Sequence, residues 1–404
     1  MKTKAVIIAG FVVAVAIVLF LSLRGGSKDP SSAASAASAE ASASGASNAG
    51  ARPDAPSTQI SMLYSTEKKE WLESAAVEFR KEHPEIKLTL EGIGSLEGAQ
   101  AILDGKAKPT LFSPADSLVL ALLKADWQTK NGSQLIADNG EYAPESDLIT
   151  PLVFVAWEDR GSVLAKSGNG KISWKSIHKA VTSNKGWPAV GGKPEWGFVK
   201  LGHTDPTRSN SGLQALLLMT LEHYDKTSGL TVAELLDPKY QAFVKDIEKG
   251  VGKFESSTGT FMTEMIRFGP SKYDISVVYE NLAISQIETA QGRWGNLRVY
   301  YPATTLWSDH PVAVLQGDWS TDAQKKAARL WMAHLRSRPV QEKALTYGFR
   351  PGDTAVPVKT SDGQNPFNRL AQYGISVDIP PVAQTPDGAV VRNLMTMWSR
   401  VVAK

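Results

Sequence analysis

A mostly parallel α/β fold is what the sequence predicts, and three observations carry that expectation. Short runs rich in Ile, Leu, Val and Tyr alternate with segments whose apolar residues recur at three- and four-residue spacing, the pattern of strands followed by covering helices. The turns after those runs collect Ser, Thr and Gly, as in Tyr64-Ser-Thr66, Gly92-Ile-Gly-Ser95 and Ser113-Pro-Ala-Asp116. The 404 residues, 42% hydrophobic and 21% charged, suffice for two or more domains and a sizeable core.

Ahead of the α/β part, Met1-Lys-Thr-Lys4 precedes an apolar run from Ala5 to Leu23, broken only by Gly10 and Ser22. At about 1.5 Å per helical residue this run spans roughly 28 Å, close to the hydrocarbon thickness of a bilayer. Leu23-Arg-Gly-Gly-Ser27 is a poor cleavage site, so residues 1–26 are expected to be an uncleaved signal anchor. Lys2 and Lys4 would stay cytoplasmic, although Arg24 and Lys28 blunt the charge bias. Residues 27–57 are Ser-, Ala- and Gly-rich and lack large apolar side chains, the composition of a disordered linker. Such a coil reaches about 30 Å.

The globular elements follow in order. Gln59–Tyr64 reads as a strand, and Trp71, Leu72, Ala75, Ala76 and Phe79 mark a helix that His83-Pro84 stops. Ile86–Leu90 is a second strand, and Ala99, Ile102 and Leu103 lie on a second helix. Thr110–Phe112 is a third strand, and Leu148–Trp157 a long apolar strand leaving the first sheet. Ser173-Trp174 opens a short helix, Trp196–Leu201 reads as extended, and Ser256–Thr260 opens a further helix. Asp274–Tyr279 and Leu297–Pro302 are strands, and Thr321 with Gln324 forms a capping box before a helix through Leu330, Trp331 and Leu335. No internal repeat of fixed period is evident.

The stretch His203–Leu213 stands out: a polar turn, then a strongly apolar helix. Ser211 and Gln214 fit a second capping box. Thr207, Ser209, Asn210 and Ser211 crowd a helix start, where unpaired N–H groups and the helix dipole favour an anionic or polar ligand. The same residues also serve if they only cap the helix. Ser65, Thr66, Ser95 and Ser113 sit at comparable strand ends, where open α/β sheets bind ligands.

Composition excludes several function classes. The formal net charge is +3, from 44 basic and 41 acidic residues, so there is no electrostatic footprint for nucleic acid. The chain has no cysteine, which removes thiol catalysis, disulfides and Cys zinc sites. No Gly-x-Ser-x-Gly elbow, phosphate-binding loop or dinucleotide fingerprint occurs. His203 with Asp205 is a weak metal pair, and Asp205 better suits anchoring its turn. Nothing in the sequence brings Glu158, Asp159 and Glu280 together as a glycosidase pair, and Trp157 and Tyr279 at strand ends suit packing as well as ligand contact. No enzyme activity, cofactor or metal is expected.

A further set of segments recurs in a telling order. These are Leu63-Tyr-Ser-Thr-Glu67, Phe79-Arg-Lys-Glu-His-Pro84, Ser113-Pro-Ala-Asp116, Ser173-Trp174 and Thr204-Asp-Pro-Thr-Arg-Ser-Asn-Ser-Gly212. Ser257-Thr-Gly259, Val278-Tyr-Glu280, Tyr301-Pro302, Ser308-Asp-His-Pro311 and Tyr347-Gly-Phe-Arg-Pro351 follow. In this order and spacing, about residues 58 to 404 resemble bacterial extracellular solute-binding proteins of the two-lobed type II kind, in the broad group containing the molybdate- and sulfate-binding proteins. The resemblance implies two α/β lobes joined by a two-stranded hinge. Residues 58–155 would begin lobe 1, 156–284 would form lobe 2, and 285–404 would be the return to lobe 1 with C-terminal helices, the return crossing lying near Tyr279–Ile284. It implies ligand contacts at Ser65, Thr66, Ser95 and Ser113 from one lobe and at Ser209, Asn210, Ser211 and Tyr279 from the other. The implied function is capture of a small polar solute, an oxyanion among the candidates, for an ABC-type permease, with the domain held in the periplasm by a single-pass inner-membrane helix. A sensory or protein-interaction module of the envelope is the alternative. Asp205, Arg208 and Glu280 put charges near the site, and if the two carboxylates face the cleft a cationic or neutral solute is favoured over a dianion.

Overall fold

Apolar runs become strands where both faces are covered, and helices where a single stripe meets the sheet. In a computed structural model that describes residues 57–402, this sorting gives two sheets. The expected signal anchor at 1–26 and nearly all of the expected linker lie outside the described residues. Among the described residues no helix is long and apolar enough to cross a membrane.

The first lobe opens with β1 (Thr58–Ser65), α1 (Lys69–Glu82), β2 (Ile86–Ile93), α2 (Ser95–Leu103), β3 (Leu111–Ser113) and α3 (Ser117–Asn131). Trp71, Leu72, Ala75, Ala76 and Phe79 are the buried face of α1, as their spacing requires. Asp116 caps α3 by accepting from the Leu118 N–H. After β4 (Glu145–Ser146), the strand β5 (Leu148–Trp157) is buried almost throughout and runs out into the second lobe.

The second lobe holds α4 (Glu158–Ser167), α5 (Trp174–Val181), β6 (Leu201–Gly202), α6 (Asn210–His223), α7 (Val232–Leu235), α8 (Pro238–Glu248), α9 (Thr258–Phe268), β7 (Ile275–Tyr279), α10 (Glu280–Ala290) and β8 (Leu297–Tyr300). Ser173 and Ser176 form a capping box at α5. The extended run expected at Trp196–Leu201 is largely irregular, with 3-10 geometry at Pro194–Trp196, a bend at Phe198 and strand pairing only at Leu201–Gly202. Helix α6 is apolar from Leu213 to Leu221 except at Gln214 and Thr220, and is buried throughout that span.

The chain then passes through β9 (Trp307–Ser308) and β10 (Pro311–Val314) to α11 (Asp322–Leu335), capped by the Thr321–Gln324 box, and α12 (Arg338–Ala344). It ends with β11 (Arg350–Pro351), α13 (Pro366–Arg369) and α14 (Gly388–Val401).

Strand order makes the two lobes equivalent. The first sheet runs β2-β1-β3-β10-β4, with β2, β1 and β3 parallel and β10 antiparallel. In the second, β6 and β7 are parallel, β5 is antiparallel to β7, β8 lies beyond β5, and a bridge from Val251 flanks β6. Each sheet thus contains one antiparallel strand that has crossed from the other lobe. The outgoing crossing is β5. The return differs from the expected Tyr279–Ile284: β8 is still in the second sheet, and β9 pairs with Thr150 and Pro151 at the base of β5. Tyr279–Ile284 instead joins β7 to α10 within the second lobe, because β7 is that lobe's parallel strand and needs its own covering helix. The C-terminal helix α14 also departs from the expected return to lobe 1, since it packs on α7 and α8 of the second lobe as well as on α3 of the first.

Candidate functional site

The carboxyl ends of β1, β2 and β3 face the helix starts of α6, α9 and α10 across the two lobes, and direct hydrogen bonds join them. The Leu96 and Glu97 N–H groups, at the start of α2, both donate to the Arg208 carbonyl at 3.1 Å. The Gly259 N–H at the start of α9 donates to Thr66 Oγ1 at 3.3 Å. Asn281 Nδ2 donates to the Glu67 carbonyl at 3.3 Å, and Gln214 Nε2 to Asp116 Oδ2 at 2.7 Å. Arg208 and Glu97 form an ion pair across the same gap. The lobes are therefore closed on one another. Gly94 makes this possible: a Cβ there would lie 2.6 Å from the Ser256 carbonyl and 2.7 Å from that of Arg208.

The sequence-derived site residues divide between this interface and the lobes' own frameworks. Ser209, Asn210, Ser211 and Tyr279 come together. Ser211 Oγ lies 2.8 Å from Thr204 Oγ1 and 2.6 Å from Thr258 Oγ1, with Ser209 Oγ 3.3 Å from the latter. Asn210 Nδ2 donates to the Tyr279 hydroxyl at 3.1 Å and to Ser308 Oγ at 3.3 Å. In the first lobe, Ser95 Oγ accepts from the Ala115 N–H at 3.0 Å, Ser113 Oγ accepts from Lys68 Nζ at 2.6 Å, and Ser65 Oγ donates to Glu67 Oε1 at 2.5 Å. Thr66 alone of the eight lines the large open cavity between the lobes.

The Ser211–Gln214 capping box is a correction. Ser209 is the N-cap of α6 and makes no side-chain cap bond. Ser211 is engaged by Thr258, and the Gln214 amide is drawn to Asp116, the Trp307 carbonyl and Ser308. Tertiary partners outcompete the local cap. Asp205 anchors its own turn, accepting from the Thr207 N–H and hydroxyl. Glu280 does not project into the cleft as a free charge: it is fully buried in a bidentate pair with Arg350 at 2.9 Å, and Tyr301 also donates to it. Burial still holds its carboxyl above the usual range, with Arg350 opposing. Glu158 meets Asn296 and Arg298 while Asp159 meets Arg160, so these carboxylates have separate partners from Glu280. His203 pairs with Glu248 at 2.7 Å and with its neighbouring carbonyl, and no metal-holding group of three or more acidic or histidine side chains occurs among the described residues.

Several residues at the closed interface carry no local sequence signal. Lys68 is buried, and its ammonium donates to the Ser113 carbonyl and hydroxyl and to the Pro114 carbonyl. Desolvation pulls its pKa down to about 8. Asp147 is buried with neither carboxylate oxygen hydrogen-bonded, Arg336 lying 3.9 Å away, and desolvation pushes it up to about 8 against the opposing charge of Arg336. Asp116 is pushed up to about 6, mainly by burial and then by Asp309. His310 adopts a left-handed backbone at φ 42° and sets Nδ1 3.3 Å from Glu67 Oε1, its pKa lowered by burial. Burial alone would raise Glu67, yet His310, Lys68 and Ser65 hold it below the usual carboxylate value.

Two lobes with matching strand order, two crossing strands and polar helix starts meeting between them define a binding cleft. A sequence profile described as bacterial extracellular solute-binding protein matches residues 60–350. The chain belongs to this family. As a member of a non-catalytic class that is typically extracytoplasmic, this solute-binding protein agrees with the expectation of no enzyme activity. The match is to the broad family and does not separate out the molybdate- and sulfate-binding group. Its fold is similar to a periplasmic thiamin-binding protein, at 12% identity, TM-score 0.59, covering 86% of this chain and 97% of the other. AfuA from Actinobacillus pleuropneumoniae, with fructose-6-phosphate bound, is similar at 15% identity and TM-score 0.54, with 85% and 98% covered. The apo ferric ion-binding protein A of Pasteurella haemolytica is similar at 12% identity and TM-score 0.52, with 85% and 98% covered. Identities this low fix the fold and not the ligand. No curated protein matches the chain.

Proposed function

We propose that this solute-binding protein captures a small polar solute between its lobes and passes it to an ABC-type permease, with residues 1–26 tethering it to the inner membrane so that the lobes work in the periplasm. The observation that carries this reading is a cavity of about 730 Å³ whose walls come from both lobes: Tyr64, Thr66 and Gly92 on one side, Gly259, Thr260 and Asn281 on the other. Its size suits a small organic solute. Thr66 lines the cavity itself, and Ser65, Ser95, Ser113, Ser209, Asn210, Ser211 and Tyr279 form the polar frame beside it, holding the strand ends and helix starts that a solute meets on entry. A solute that fits the closed lobes better than the open ones drives closure by that difference in affinity. An oxyanion would draw on N–H groups at the helix starts, and a cation on the carboxylates of the cleft.

A thermal-shift screen of the full-length protein against oxyanions, sugars, amino acids and amines tests capture. A solute at about 100 times its dissociation constant stabilises by about 2.7 kcal/mol, a rise of several degrees in Tm. Asn210→Ala with Ser211→Ala should remove that rise while the protein still unfolds cooperatively. Silence across all four classes would contradict the reading.

A further inference from the structure

The cavity between the lobes is acidic. Glu70, Glu73 and Glu91 line it from the first lobe and Glu264 from the second, against a single lining cation, Lys69. Lys69 lies 3.9 Å from Glu73, and Glu264 lies 3.3 Å from Lys272. Glu70 and Glu91 make no ion pair among the described residues, and both are exposed to the cavity mouth. Four aromatic residues, Tyr64, Trp71, Tyr347 and Phe349, share the same walls.

A second observation points the same way. Asn281, at the start of α10, lines this cavity and is 2% exposed. Its Nδ2 is used by the Glu67 carbonyl, but its Oδ1 has no partner. Asn210 Oδ1 and Gln214 Oε1, in the polar frame alongside, are likewise buried and unpartnered. These three unmet amide oxygens are acceptors, which call for a ligand that donates, and the ring nitrogens of the buried His310 are also without a hydrogen-bond partner. Three of the helix-start donors an oxyanion could use are already taken: the Leu96 and Glu97 N–H groups by the Arg208 carbonyl, the Gly259 N–H by Thr66.

We infer that the cavity takes an organic cation, an amine or ammonium compound with an apolar body, recognised by Glu70, Glu91 and the Asn281 carbonyl oxygen and flanked by Tyr64 and Tyr347. This rests on the reading of solute capture between the lobes. Carboxylates attract the charge, the free amide oxygen accepts its N–H, and the tyrosine faces suit a cation beside apolar surface. The volume of about 730 Å³ exceeds what a bare metal ion or a tetrahedral oxyanion would fill.

The test is calorimetric titration of the full-length protein with spermidine and with thiamine, set beside sulfate, molybdate and glucose, in the wild type and in Glu70→Gln/Glu91→Gln. Both substituted side chains are exposed, so the variant keeps the fold, which its unchanged Tm without solute verifies. The expected result is saturable one-to-one binding of an amine that weakens at least tenfold in the variant and falls with added salt. Binding of sulfate, molybdate or glucose in place of the amines would overturn the cationic assignment and leave solute capture standing. Amine binding that the double substitution leaves unchanged would overturn the assigned site. No binding of any of the five would overturn the cationic assignment, and solute capture would then be decided by the thermal-shift screen across all four solute classes.

Discussion

Arg350 is the cation that keeps Glu280 in place: the pair is bidentate, at 7% and 0% side-chain exposure, and the guanidinium also donates to the Ser376 and Val377 carbonyls. Removing one member of a buried pair leaves the other charge uncompensated. Arg350→Met should therefore cost about 3–5 kcal/mol, and adding Glu280→Gln should recover part of it. Urea unfolding of the two single variants and the double variant measures this coupling, and additive losses would contradict it. Asp147 gives a pH signature. Its folded pKa, pushed up to about 8, lies above the usual unfolded value near 4. Its contribution to stability is full below about pH 4 and is lost as pH rises toward 8. Lys68, lowered to about 8, acts in the window above that, so the two separate. Asp147→Asn should flatten the fall in Tm between pH 5 and 8 by a few degrees. A slope equal to that of the wild type would exclude Asp147 as its source. Neither residue announces itself in sequence. Lys68 sits in a Glu-Lys-Lys-Glu run that looks solvent-facing, and only the closeness of Ser113 and Pro114 in space gives its charge a buried home.

Helix α14 spans the back of both lobes. Arg392 reaches Asp126 of α3 at 2.5 Å, while Trp398 donates to Glu248 of α8 at 2.7 Å and packs edge-on against Phe254. Trp398→Ala should cost about 3–5 kcal/mol through lost packing. Trp398→Phe, which forfeits a hydrogen bond to a charged group, should cost about 1.5–3 kcal/mol. Denaturant unfolding reads both, and an alanine variant within 1 kcal/mol of wild type would show that α14 contributes little. Local elements of the chain were readable because their determinants are local. The spacing of Trp71 to Phe79 sets α1, and Thr321 with Gln324 caps α11 as its motif requires. Ser211 and Gln214 satisfy the same motif and do not cap, because Thr258 and Asp116 offer buried partners that no local window contains.

At the scale of the molecule, the two-lobed α/β plan was legible in the order of strand-end motifs, and the crossings were half legible. The outgoing β5 is a long apolar run. The return is not, because β8 and β9 are short and the chain between them has no pattern of its own, so only their pairing with β5 locates it. Of the site, the helix-start hydroxyls could be read, but the cavity's acidic lining could not, since Glu70, Glu91 and Glu264 look like ordinary surface charge until the lobes face each other. Closure itself depends on Gly94. Its φ of −61° suits any residue, so a side chain there strains neither lobe and meets only the carbonyls of the opposite one. The most direct measurement of capture by closure is calorimetric titration of the wild type and of Gly94→Val with the solute that gives the largest thermal shift. Capture by closure predicts at least tenfold weaker binding in Gly94→Val, with circular dichroism and cooperative unfolding unchanged. Equal affinity in the two proteins would contradict it.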